Sequence, residues 1–164
     1  MNKREFIKKM AIGLVTVTSL KFFGKNNDNW IPIMVSDIEN ENCRIYPLSV
    51  VTNIKVQIQR LIDKKQCVVS YCPNIENNTE VINLNSVAGL IDDVKLKDGV
   101  LYIKWSLLKT PCGEIVKNYG RNLYMTTSGI GSINRGVVQN DYEFIRFIIS
   151  PTSSWEKHFK QKLV

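Results

Sequence analysis

Asp98-Gly99 separates two runs of β-like sequence, and no other feature restricts the fold of this chain as strongly. An Asp-Gly pair readily takes the two positive φ angles of a two-residue hairpin turn. Before it, Val87 to Lys97 reads as strand. After it, Leu101, Ile103, Trp105 and Leu107 alternate with Tyr102, Lys104 and Ser106, the period of a strand with one buried face. A hairpin of this length needs an antiparallel sheet around it.

The rest of the chain supplies that sheet. Trp30 to Val35 and Cys67 to Tyr71 are short apolar runs, the second ending before Pro73. Leu123 to Thr127, Val137-Val138 and Tyr142 to Ile149 are the remaining strand segments, closed by Pro151. Between them, Val50, Val51, Ile54, Ile58, Leu61 and Ile62 fall at helical spacing behind Ser49, which predicts an amphipathic helix capped by that serine and running to about Lys65. Thr110-Pro111 opens a second helix from Cys112 to Tyr119, with Gly120 as its stop. The expected class is α+β: a mainly antiparallel β-barrel of about seven strands with two or three surrounding helices. Gly129-Ile130-Gly131-Ser132 reads as a flexible glycine turn; it lacks the lysine and the strand-loop-helix setting of a phosphate loop.

Charge divides the chain into three parts. The net charge is +7, of which residues 1–28 carry +4 (six basic, two acidic) and residues 155–164 carry +2 (three basic, one acidic). The body is left with +1, so no basic stripe for specific nucleic-acid binding lies on the folded part. Residues 29–155 form one domain between a basic N-terminal extension, 1–28, and a basic tail, 156–164. Trp30, Trp105 and Trp155 are expected as core or interface residues. Cys43, Cys67, Cys72 and Cys112 match no zinc or redox spacing and read as reduced thiols. No metal and no cofactor is expected.

The extension fits two descriptions. Lys3-Arg4-Glu5-Phe6-Ile7-Lys8-Lys9 followed by uncharged Met10 to Leu20 has the layout of a secretory signal and resembles a twin-arginine export signal. It has no small-x-small cleavage site, and a basic amphipathic helix that docks on a partner or a membrane surface fits equally.

Four segments, in order, carry a resemblance. Asn40-Glu41-Asn42-Cys43-Arg44-Ile45-Tyr46-Pro47 is similar to an "N-x-N-G-R-x-Y-P" motif, with Cys43 in the glycine's place. Asn83 to Val94 is similar to the segment before a central hairpin. Leu107 to Ile115 resembles "L-x-T-P-x-G-x", and Thr126 to Ser132 resembles "S-S-R-G-x-G-S"; Asp141-Tyr142-Glu143 and Ser150 to Ser153 follow as a closing strand. The run resembles the prohead maturation proteases of tailed phages. That resemblance implies the barrel shared with herpesvirus assemblins, serine protease chemistry with histidine support, action on scaffold and capsid proteins inside the prohead, and location in the host cytoplasm.

The same resemblance implies that the catalytic groups are lost. Cys72 stands where the family has one histidine, Gly89 where it has a second, Thr126-Thr127 where it has the serine pair, and Ser128 where it has arginine. A serine or threonine hydroxyl needs a base to take its proton. The single histidine, His158, lies in the basic tail. The expectation is therefore a degenerate protease homologue acting as a structural or scaffold-associated component, with phage scaffold or capsid proteins, or a second copy of itself, as partners. Two alternatives remain: an active protease with a site rebuilt from Thr126, Thr127, Ser128 or Cys72, and an exported bacterial binding module on the same barrel.

Overall fold

The Asp98-Gly99 turn forms with φ of 51° and 78°, and Ser36 N–H donates to the Gly99 carbonyl at 2.8 Å, joining the turn to the first strand. The computed structural model describes residues 30–40, 42–73, 82–119 and 123–151. The extension, the tail with Trp155 and His158, residues 74–81 and Gly120 lie outside them.

The strands that flank the turn are β3 (Val87–Lys97) and β4 (Val100–Leu107). The other strands are β1 (Ile31–Val35), β2 (Val68–Tyr71), β5 (Tyr124–Ile130), β6 (Ile133–Asn134), β7 (Val137–Val138) and β8 (Glu143–Ser150). Six of them form one sheet in the order β1-β4-β3-β2-β8-β5, while β6 and β7 make a separate ribbon. Every neighbouring pair in the large sheet is antiparallel except β2 and β8, which run parallel. The sheet curls so that its outer strands β1 and β5 approach one another without a ladder between them. The result is a half-barrel of six strands, not a single barrel of seven.

Helix α1 (Leu48–Asp63) buries Val50, Val51, Ile54 and Ile58 in the cluster that also holds Val69, Ile91, Ile103, Phe147 and Ile149. Each such burial contributes about 1.5–3 kcal/mol relative to exposure. Gln57 pins the helix to the start of β8: its Nε2 donates to the Tyr142 carbonyl at 2.9 Å, and its Oε1 accepts from Phe144 N–H at 2.7 Å. Ser49 is not the cap. The helix begins two residues earlier, at Leu48 behind Pro47, and the Asp37 carboxylate accepts from Leu48 N–H at 3.2 Å. A loop aspartate thus does the work expected of the serine, whose hydroxyl turns to Asn140 at 3.3 Å.

Helix α2 (Pro111–Tyr119) follows its expected signal: Thr110 Oγ1 accepts from Gly113 N–H at 3.0 Å and donates to the Val87 carbonyl at 2.7 Å. With a 3₁₀ turn at Leu84–Ser86, these are the helical elements among the described residues. Gly129 and Ile130, expected in a flexible turn, continue β5 against Phe144 and Glu143 of β8.

Candidate functional site

The ladder registers place the four positions singled out by sequence. Thr127 of β5 stands level with Phe147 of β8, Val69 of β2, Gly89 of β3 and Leu107 of β4. Directly paired residues point to the same side of a sheet. Thr127 and Gly89 therefore face the core side with Phe147 and Val69. Thr126 belongs to the next row, with Ile148 and Ser70, on the opposite side. The adjacent threonines cannot serve one site together.

Distance separates them further. Strand β8 lies between β5 and β2, so Thr126 and Ser70 are about 10 Å apart along the sheet, and Thr127 and Gly89 about 14 Å, at ~4.8 Å per strand. Cys72 follows β2, and its N–H donates to the Ile149 carbonyl at 2.8 Å, which continues the β2–β8 join. A nucleophile and its base must come within about 2.6–3.2 Å, or be bridged by one water. Thr126, Thr127, Cys72 and Gly89 do not meet that requirement among themselves.

Gly89 cannot carry a base of any kind as the strands now pack. A Cβ there would lie 2.5 Å from the Ser106 carbonyl oxygen and 2.7 Å from two atoms of the Trp105 ring. The tryptophan fills the volume a histidine would need. Trp105 is accordingly a partly buried core residue, as expected.

Thr127 is engaged as well. Its hydroxyl is hydrogen-bonded to the Tyr142 phenol, which packs edge-on against Tyr46 with ring centroids 5.8 Å apart. Burial first, and the Tyr46 phenol second, push the Tyr142 hydroxyl above its ordinary value, against the opposing pull of the Thr127 bond and of Arg44. Tyr142 is thus a neutral, buried hydroxyl and no base. Its ring also explains Gly129, where a Cβ would lie 2.4 Å from the phenol oxygen.

The opposite side of the sheet is polar and buried. Ser128 and Arg146 stand opposite one another across β5 and β8, 6% and 4% exposed, and Ser70 and Ser150 lie on the same side at 2% and 1%. The resemblance puts Ser128 in the place of a family arginine, and in the structure Arg146 of the neighbouring strand stands level with it. Among the described residues the buried Ser70 hydroxyl finds no hydrogen-bond partner, a condition that costs about 1–3 kcal/mol. Neither residue was singled out by sequence, because Arg146 and Ser70 sit in apolar runs and their meeting depends on the long-range parallel join.

Neither Cys67 nor Cys112 is activated. Burial pushes the Cys67 thiol up to about 12, and the same cause raises Cys112, whose sulfur lies 3.4 Å from the Asn85 carbonyl oxygen. A reactive thiol needs the opposite shift. Among the described residues no group of His, Cys, Asp and Glu could hold a metal ion, and no helix is long and apolar enough to cross a membrane.

No protein-family model and no curated protein sequence matches the chain. Its fold does have a match. The structure of the bacteriophage T4 capsid assembly protease, gp21, superposes with a TM-score of 0.62 over 74% of this chain and 80% of that one, at 18% sequence identity. The half-barrel and its helices are therefore a protease-like fold of the kind expected from the four sequence segments.

Proposed function

We propose that the chain is a catalytically degenerate homologue of phage prohead proteases, serving as a structural or scaffold-associated component of head assembly with scaffold or capsid proteins as partners. On this reading the half-barrel is the main part of the family's closed barrel. One observation carries it: within a fold shared with a capsid assembly protease, the position assigned to a second histidine is a glycine whose side-chain space is filled by Trp105. The engagement of Thr127 by Tyr142 adds support.

The test uses purified full-length protein incubated with the scaffold and capsid proteins it assembles with, and no cleavage is expected. Cleavage that disappears in Thr126→Ala or Thr127→Ala would overturn the proposal.

The buried polar side that Thr126 shares with Ser128, Arg146 and Ser70 favours a second reading, a protease with a rebuilt hydroxyl site. That reading predicts trimming of the N-terminal extension. Recovery of the intact 18.8 kDa chain after head assembly counts against it.

A further inference from the structure

Helix α2 buries one face and leaves an apolar stripe beside it in the open. Gly113 and Val116 are buried, and a Cβ at Gly113 would lie 3.1 Å from the Ala88 carbonyl oxygen of β3. Cys112, Ile115 and Tyr119 fall three and four residues apart, so they follow one another along the helix surface. Ile115 and Tyr119 are 36% and 63% exposed. Leu84, 79% exposed on the 3₁₀ turn, adjoins the stripe through Asn85, whose carbonyl oxygen lies 3.4 Å from Cys112 Sγ. Single exposed apolar side chains are ordinary, but a continuous group of them marks a contact surface.

The end of β8 comes out next to this helix. Helix α2 packs on β3 and β2. Tyr71, the last residue of β2, pairs with Ile149, so Ser150 and Pro151 leave the sheet beside a strand that carries α2. Ser150 also pairs with Tyr124, which follows Tyr119 by five residues, a link of at most about 18 Å. The sequence that continues from Pro151 has a matching pattern. Trp155, Phe159 and Leu163 fall four apart, the spacing of one helical face, with Lys157, Lys160 and Gln161 opposite. The steps from Pro151 to Trp155 reach about 14 Å. A helix over residues 155–163 would be about 14 Å long, the length of the nine-residue α2.

We propose that residues 155–163 form an amphipathic helix that docks on α2, with Trp155, Phe159 and Leu163 against the stripe of Leu84, Ile115 and Tyr119. Lys157 and Lys160 then stay in water, and the basic tail is the solvated face of a docked helix and not an arm for another molecule. The uncharged run from Met10 to Leu20 is the competing occupant. It fits less well, because Trp30 leads into β1, and β4 separates β1 from the strands that carry α2. Strand β8 is the direct neighbour of one of them.

Trypsin, which cuts after lysine, reads the tail of the full-length chain directly. The natural protein should resist cleavage after Lys157 and Lys160. Leu84→Ser, Ile115→Ser and Tyr119→Ser together should speed that cleavage about tenfold, because proteolysis follows the population of undocked tail. Trp155→Ser with Phe159→Ser, which leaves the domain untouched, should release the tail to the same extent. Ile115→Leu with Tyr119→Phe keeps the stripe apolar and should hold the rate within about threefold of the natural one. Lasting resistance at Lys95 and Lys104, within the sheet, shows that the variants are folded. Equal tail cleavage in the natural chain and the triple serine variant overturns the proposal. So does faster cleavage after Lys21 and Lys25 alone, which gives the stripe to the extension. Protection that vanishes on dilution gives it to a second copy, and overturns the proposal as well.

Discussion

Gly89 and Gly129 stand on opposite sides of the parallel β2–β8 join, and an aromatic ring occupies the side-chain space of each. The two halves use the device differently. In the half built of β1, β4, β3 and β2, Gly89 is buried, and both the Trp105 ring and the Ser106 backbone block it. In the half built of β8 and β5, Gly129 is exposed; the Tyr142 ring, which also holds Thr127, and the Glu143 backbone oxygen block it at 2.4 and 2.5 Å. On the proposed reading, the first arrangement excludes a side chain from the position assigned to a family histidine, and the second ties up a hydroxyl at the position assigned to the serine pair. A glycine in a strand can thus mark close packing by a neighbour and not a lost turn.

The largest effect should come from placing a histidine at Gly89. Gly89→His would force apart two paired strands at a buried position, and overpacking of this kind costs about 3 kcal/mol. Denaturant unfolding should show a midpoint far below that of the natural chain. A variant as stable as the natural chain would mean that Trp105 can vacate the space, and the claim of an excluded base would fall. Gly129→Ala should cost less, about 2 kcal/mol, because a methyl is smaller than an imidazole and the position is exposed. Equal losses at the two glycines would erase the difference between the halves.

Much of the first half is legible in sequence because its signals are local. Asp98-Gly99 forms its turn, Thr110 caps its helix, and the alternation from Leu101 to Leu107 sorts its two faces. The second half is not, because its decisive contacts span the chain. Placing β8 between β2 and β5 makes a parallel pair from strands far apart in sequence, and nothing in the run from Phe144 to Ile149 signals it. The Asp37 cap on α1 and the Tyr142 ring against Gly129 are likewise tertiary events, so Ser49 was misassigned and Gly129 was read as a turn. The site fared in the same way. Thr126 and Thr127 lie on a strand, as their motif implies, and strict alternation already divides them between two faces. Arg146 opposite Ser128 could be found only from the register.

Alkaline pH should expose the tighter packing of the first half through Cys67, whose carbonyl accepts from Ile91 N–H where β2 begins beside β3. Its thiol is raised from 9.0 to about 12 by burial. The unfolded chain therefore releases this proton at lower pH than the folded chain does. The associated stability is complete below about pH 9 and is lost as pH rises from there toward 12. At pH 10 the loss from this group is about 1.4 kcal/mol, one unit above the ordinary value. Tyr142 adds to the decline above its own ordinary value, since its shift has the same direction. Stability measured from pH 8 to 10 should fall in the natural chain and fall less in Cys67→Ala, once the constant cost of the smaller side chain is subtracted. Identical slopes would place the alkaline loss elsewhere.

The smallest effect belongs to the loop between β1 and α1 and has the opposite sign. Cys43 holds a φ of 55° in this loop, which is hydrogen-bonded to the β6–β7 ribbon, at the place where the resembling motif has glycine. The loop holds this shape because Asn40 Oδ1 accepts from Asn42 and Arg44 N–H at 3.0 and 3.1 Å, and Ile45 N–H donates to the Gly136 carbonyl at 2.8 Å. A side chain in the left-handed region costs about 1–2 kcal/mol. A glycine removes that cost but gives back about 0.4–1 kcal/mol through the freer unfolded chain. Cys43→Gly should therefore stabilise the protein by about 0.5–1 kcal/mol, raising the melting temperature by roughly 1–4 °C. Cys43→Ala, which keeps the Cβ, should leave it unchanged. A lower melting temperature in the glycine variant would show that the exposed thiol makes a stabilising contact, and that this loop is as tightly determined as the strand around Gly89.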